Sequence, residues 1–290
     1  MRCHRALGAL GLVLAALAGG SCRKPEPPLR IAVHSAPIGY DPHLQNESLT
    51  SAILANLYDA LTEFDEELGV RPALAVGWRN PDERTWVFSI RPSVRFHDGR
   101  ILTADDVVFS LERARESSGT GIASYLVEVE RVRALGPLSV EVRTYRPFAP
   151  LLSKLAMVSV VPRGAPETIT TPVGTGSYRL ARSDATRIEM ARAPRTWRGD
   201  PRVGTLVFVV VPSPAERLRL LLAGDVDVAA DLDESAVAAL GREDCCRSLV
   251  HPGSTIEYLH LSDVVVPFRD RRVREAADLA VDRPLYVAQA

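Results

Sequence analysis

Lysine is nearly missing from this chain. Of 35 basic residues in 290, only Lys24 and Lys154 are lysines, and the arginines are scattered, not gathered on one segment. With a formal net charge of -1, this excludes the one-sided basic face that a polyanion demands, so no nucleic-acid partner is expected. Neither lysine follows a glycine in the phosphate-loop pattern, which excludes that kind of ATPase. Cysteine is scarce as well: Cys3, Cys22, Cys245 and Cys246 are all there are, and the last two are adjacent. Neighbouring cysteines pair badly, so no disulfide framework is expected. His34, His43, His97, His251 and His260 are spread without a pair at helical spacing, which argues against zinc. A serine hydrolase wants Gly-x-Ser-x-Gly, and "GTGSYRL" around Ser177 lacks both glycine positions. No enzyme, metal or cofactor is expected.

Long apolar runs are also few. The stretch from Ala6 to Ala18 is uncharged but too short to span a bilayer comfortably. It follows a basic head of Arg2, His4 and Arg5 and precedes the small residues of "LAGGSC" and the charged, proline-bearing "RKPEPP". That order reads as an export signal over residues 1–22 with a tether over 23–28. The signal resembles a bacterial lipoprotein signal, which implies lipidation of Cys22 and a membrane-anchored protein at the periplasm or cell surface. Gly19 stands where such signals usually carry a large aliphatic residue.

From Leu29 onward the pattern is mixed α/β. Leu29, Ile31 and Val33 alternate as in a strand. Leu49, Ile53, Leu57 and Leu61 recur every four residues, predicting one helix that ends near Thr62. Trp86, Phe88 and Ile90 share a strand face, Pro92 interrupts it, and Val94 and Phe96 resume. Asp98-Gly99 is a turn. Thr103 and Asp106 have capping-box spacing before "VVFSL". These positions make His97, Asp98, Asp105 and Asp106 scaffold residues. In "GTLVFVVVPSPAERLRLLLAGDVDVAADL" the pattern is β, α, β. Leu206 to Val211 is a strand covered on both faces, Ser213 a cap, Pro214 the first helical residue, and Leu218, Leu221 and Leu222 the buried face. Gly224 stops the helix, and "DVDVA" returns as a parallel strand. Ligands of open parallel sheets gather at strand carboxyl ends, here Ala229, Ala230 and Asp231.

Six segments stand in the order of a known family: "YDPH", "NLYDALTEFDEELGVRPALAVGW", "TWVFSIRPSVRFHDGRILTADDVVFSLER", "PVGTGSYRL", "LLAGDVDVAADL" and "PFRDRRVREAADLAVDR". The chain resembles the first half of a family 5 solute-binding protein, the group of oligopeptide, dipeptide and nickel binding proteins that feed ATP-driven importers. The resemblance implies a type II periplasmic-binding-protein-like first lobe with an inserted subdomain and the second lobe largely absent. Residues 29–45 and 171–261 would form the first lobe, residues 46–170 the insertion, and residues 262–290 the start of the second lobe. It further implies non-covalent capture of a peptide or similar small solute and delivery to ABC permease subunits. The loop Ala36, Pro37, Ile38, Gly39, Tyr40 would meet ligand backbone, with Tyr40 the preferred side-chain contact. Gly174 and Gly176 read as backbone freedom at a strand crossing. The aspartate that holds a peptide's amino terminus in relatives belongs to the second lobe and has no counterpart here. The competing expectation is a truncated remnant, or a fragment, that binds nothing by itself.

Lipidation at Cys22 is directly testable. Globomycin, which blocks the lipoprotein signal peptidase, is expected to make the exported chain accumulate at its unprocessed size; an unchanged size would contradict the anchor.

Overall fold

A computed structural model describes residues 26–117, 120–241, 246–250 and 260–285. The leader, Cys22, the first tether residues, Cys245 and His251 lie outside the described residues. The chain forms two units, residues 1–247 and residues 248–290.

The first unit runs β1 (Leu29–Val33), α1 (Ser48–Leu54), β2 (Thr62–Phe64), β3 (Val70–Pro72), β4 (Ala75–Asp82), β5 (Thr85–Ile90), α2 (Ala104–Glu116), β6 (Val129–Gly136), β7 (Ser139–Thr144), α3 (Leu151–Leu155), β8 (Tyr178–Ser183), β9 (Arg187–Arg192), β10 (Thr205–Val210), α4 (Pro214–Ala223), β11 (Val228–Ala229) and α5 (Glu234–Leu240). One sheet has the order β11-β1-β10-β9-β8, a second the order β4-β5-β7-β6, and β2 pairs with β3. Strand β1 is parallel to both β10 and β11 and lies between them. The βαβ unit is thus parallel as expected, but its two strands are separated by the first strand of the chain.

Two cores follow from this arrangement. Phe88, Leu111, Val140 and Val142 anchor the core of the four-stranded sheet, closed by α2. Ile53, Leu57, Ile188 and Met190 anchor the core of the five-stranded sheet. Helix α2 begins as its spacing predicts: the Asp106 carboxylate accepts from both the Thr103 N–H and its hydroxyl, each at 2.8 Å. Ser213 caps α4 by accepting the Glu216 N–H, and Gly224 ends that helix at φ +74°, a conformation that costs glycine little.

Four expectations need correction. Helix α1 stops at Leu54 instead of reaching Thr62. The carbonyls of Asn56 and Leu57 are taken by the N–H groups of Tyr178 and Gly176, both at 3.0 Å, so the helical ladder is not continued. Leu57 and Leu61 are buried, but in different cores, and their spacing is not helical in origin. Val94 and Phe96 are buried in an arch whose single bridge joins Arg95 to Ile101, not in a resumed strand. In α4, Leu218 and Leu221 are half-buried and Leu222 is exposed, while Arg217 is the residue that is buried. Its guanidinium donates to the carbonyls of Val211, Pro212, Ala230 and Asp231, so the helix is seated by a cation over carbonyl oxygens. Lastly, neither Gly174 nor Gly176 is used for a positive φ; both are there because backbone passes against them.

In the second unit, the helix α6 (Arg271–Leu279) is capped by Asp270, which accepts the Arg272 N–H. No residue of α6 is buried, and Leu279 is 85% exposed. Among the described residues no helix is long and apolar enough to cross a membrane.

A buried polar knot ties the loop after β1 to α2. Arg113 donates to the Asp41 carboxylate, to His43 Nδ1 at 2.8 Å and to the carbonyls of Pro166 and Glu167. His43 Nε2 lies 2.8 Å from the Ser159 carbonyl. Arginine only donates and a carbonyl only accepts, so the imidazole is neutral with its proton on Nε2. Burial, the largest influence, drives the His43 pKa from 6.5 to about 4. Burial also pushes the Asp41 carboxyl upward, but the hydrogen bonds from Arg113, His43 and Ile169 outweigh it and leave it lowered. Between pH 6.5 and about 4 the unfolded chain takes up a proton at His43 that the folded chain refuses. Stability should therefore be level above about pH 6.5 and fall by roughly 3 kcal/mol toward pH 4 from this residue alone. Asp41 adds a further loss as it protonates below its ordinary range. Urea unfolding at pH 7.5, 5.5 and 4 checks this; midpoints that do not fall on acidification would contradict it.

Candidate functional site

The parallel strands β1, β10 and β11 end on one rim of the sheet. His34 follows β1, Asp231 follows β11, and their side chains meet at 2.9 Å while remaining exposed. Ala229 and Ala230 are half-buried beside them. Asp231 has φ +52° and is held by the Arg217 contact to its carbonyl. The predicted loop follows β1 two residues after His34. Ala36, Pro37 and Gly39 are half-buried, and Ile38 is 71% exposed while its N–H donates to Thr50 Oγ1 at 3.0 Å. At the far end the Tyr40 hydroxyl donates to Ser183 at the end of β8, and its carbonyl accepts from the Tyr58 hydroxyl at 3.0 Å. Burial raises the Tyr40 pKa against the opposing effect of Ser183. Its half-buried ring packs on the second core. The structure sets Ala230 and Asp231 against Ala32 and His34, just before this loop, and carries Tyr40 to Ser183 at the opposite edge of the sheet.

Beside α1 lies a cavity of about 250 Å³, with Leu54 and the capping Ala55, Tyr58, Ile122, Met157 and Arg198 on its wall. The loop and the cavity share one helix: Thr50 holds Ile38, and Leu54 lines the recess. Asp59 forms a deep part of the wall. It accepts from the Thr175 hydroxyl at 2.7 Å, from Trp197 Nε1 at 2.8 Å and from Arg198 Nε at 2.9 Å. The other edge of the Arg198 guanidinium reaches Glu63, which also takes Arg71 at 3.0 Å. Arg198 and Arg91 both stack on the Trp197 ring, at 4.3 and 4.5 Å from its centre. Sequence reasoning missed these wall residues. A lone aspartate in "NLYDAL" has no signature spacing, and Arg198 joins it from 139 residues away.

The turn that carries Thr175 is fixed by close approach. A Cβ on Gly174 would lie 2.0 Å from the Leu57 carbonyl oxygen, and one on Gly176 would lie 2.5 Å from that of Asn56. His97 clasps the turn from the other side. Its Nδ1 accepts the Gly174 N–H at 3.3 Å, its Nε2 lies 3.0 Å from the Gly176 carbonyl, and its own N–H donates to the Gly174 carbonyl at 2.8 Å. These partners again require a neutral ring with the proton on Nε2, in keeping with a pKa lowered chiefly by burial. His97 is therefore the scaffold residue its turn position suggested.

Residues 69–290 match the family described as bacterial extracellular solute-binding proteins, family 5 Middle. The chain is 28% identical to the dipeptide-binding protein of Escherichia coli K12 over 87% of this chain and 54% of that protein. It is 26% identical to the glutathione-binding protein GsiB of Shigella dysenteriae over 99% of this chain and 58% of that protein. It thus spans little more than half the length of these relatives. Among solved structures, Haemophilus influenzae OppA in complex with RPPGFSPFR superposes with a TM-score of 0.75 at 23% identity, covering 90% of this chain and 56% of that one. MoaA of A. tumefaciens R10 in complex with mannopinic acid gives 0.74 at 24% identity, over 87% and 54%. The fold is that of type II periplasmic binding proteins, matched over about half their length.

The glycine seat makes a sharp stability prediction. Gly174→Ala must displace backbone and should cost about 1–3 kcal/mol. Gly136→Ala, whose Cβ would meet nothing within 4 Å, should change stability by less than about 0.5 kcal/mol. Equal denaturant midpoints for the two variants would contradict the close-approach account.

Proposed function

Because the chain belongs to the bacterial extracellular solute-binding proteins of family 5, we propose that it contributes the solute-capturing face of a receptor for an ABC importer. The receptor takes up a peptide or similar small solute without covalent chemistry and hands it to the permease outside the cytoplasm. Cys22 carries the lipid that holds it at the membrane. In this reading residues 29–45 and 171–261 are the first lobe, residues 46–170 the inserted subdomain and residues 262–290 the start of the second. The strand order supports that division, since the four-stranded sheet is made wholly from residues between β1 and β8 of the five-stranded one. The observation that carries the reading is the recess beside α1, where Leu54, Ala55, Ile122 and Met157 stand among the polar side chains of Gln45, Ser51, Asp59, Glu63 and Arg198, a mixed lining that suits a small solute. The names of the relatives, which bind dipeptide and glutathione, point to short peptides as the solute class.

A second reading, a chain that binds nothing by itself, has support in the second unit. Val264, Val266 and Leu279 are 69%, 73% and 85% exposed there, an apolar surface that asks for a cover.

Thermal unfolding with di- to hexapeptides and with nickel separates the two. A solute at a hundredfold excess over its Kd stabilises by about 2.7 kcal/mol, which should raise the Tm by several degrees. A Tm unmoved by every compound would favour the second reading.

A further inference from the structure

We propose that Asp41, His43 and Arg113 form an acid-operated latch: a proton on His43 Nδ1 frees the loop of residues 36–45 from α2 while both cores stay folded. The latch is a property of the fold and stands whether or not the chain captures a solute. Its parts come from three stretches of chain. The loop supplies Asp41 and His43, α2 supplies Arg113, and the segment before β8 supplies the carbonyls of Ser159, Pro166 and Glu167 and the N–H of Ile169. His43 is fully buried and Asp41 nearly so. Elsewhere the loop is held lightly. Of residues 36–45 only Tyr40 packs against a core, and it is half-buried. Ile38 and Leu44 are exposed. Loss of the polar knot therefore releases the loop and leaves the apolar packing of both sheets in place.

The trigger is the lone pair on His43 Nδ1, which accepts from Arg113 Nη1 at 2.8 Å. With a proton there, donor faces donor and two cations meet away from water. The charged and titratable groups around the ring come from each element packed on it. Arg113 on α2 opposes the new charge, and Asp41 on the loop favours it. The Tyr58 phenol, which follows α1, is kept neutral by burial, and the segment before β8 presents the Ser159 carbonyl. Asp41 is already spent on Arg113 and on the N–H groups of His43 and Ile169. It could accept the new proton only by giving up Arg113, which is the contact that binds the loop to α2. Either way the latch opens.

Native-state hydrogen exchange at neutral and acid pH, repeated at low urea concentrations, tests the inference. The N–H groups of Ile38, His43 and Ile169 report on the latch, since they donate to Thr50 Oγ1 and to the two oxygens of Asp41. Those of β5 and β9 report on the two cores. A ring that titrates at about 4 when latched and at 6.5 when free makes the open form about a hundredfold more populated at pH 4 than at pH 7. After correction for intrinsic exchange rates, the three latch positions should show that rise through an opening insensitive to urea, whereas β5 and β9 exchange through a larger, urea-sensitive one. Latch positions that open no more at pH 4, or only together with the urea-sensitive event, would overturn the inference. In His43→Gln, which does not titrate in this range, the rise at Ile38 and Ile169 should vanish; a rise that persists would place the trigger on another group and overturn the inference. Should this variant not fold, the ring of His43 labelled with carbon-13 in the unaltered chain decides the matter: its protonation midpoint should lie near pH 4, and one at the ordinary 6.5 would overturn the inference.

Discussion

The contact on which most of this structure depends is between two pieces of backbone. At Gly174 and Gly176 the chain passes so close to residues 56 and 57 that no side chain fits between. That approach takes the carbonyls that would have continued α1 and turns the chain toward β2. It presents Thr175 to Asp59 and delivers the chain into β8 at the edge of the five-stranded sheet. His97, from the arch that leads into α2, closes over the turn. Three segments far apart in sequence are fixed there at once, and the wall of the cavity is one result.

Electrostatics completes what packing begins. The first unit places ionic groups at its joints and pairs them closely: Arg113 with Asp41 and a neutral His43, Arg198 with Asp59 and Glu63, and Arg217 with four carbonyl oxygens. Such groups contribute little net stability compared with apolar packing, but removing one partner strands the other away from water, which is costly. They therefore act as location devices, fixing the loop after β1, the Trp197–Arg198 segment and the exit from β11.

Much of the fold was legible from local signals. The capping box at Thr103, the Ser213–Pro214 start and Gly224 stop of α4, and the Asp98-Gly99 turn depend on neighbours within a few residues, so spacing alone reveals them. Errors arose where a distant segment decided the outcome. The four-residue leucine period ran past Leu54 because nothing near it announces that Gly176 and Tyr178 will take its carbonyls. The apolar face of α4 was misread because a buried arginine was not foreseen, and its partners are carbonyls that no sequence pattern marks. For the site, strand order and family resemblance lead to the rim residues, and the structure shows only where they lie. Neither leads to the cavity, because it is assembled from residues as far apart as Leu54, Ile122, Met157 and Arg198.

The central claim is that solute enters this cavity. Two methionines on either side of the question allow a direct measurement: Met157 is 39% exposed on the cavity wall, and Met190 is fully buried in the core of the five-stranded sheet. In a methyl spectrum of the chain labelled with carbon-13 at methionine, a binding peptide should shift the Met157 resonance in a saturable manner and leave that of Met190 in place. Saturable binding that leaves Met157 unmoved would show that the solute is held elsewhere, and would contradict the account.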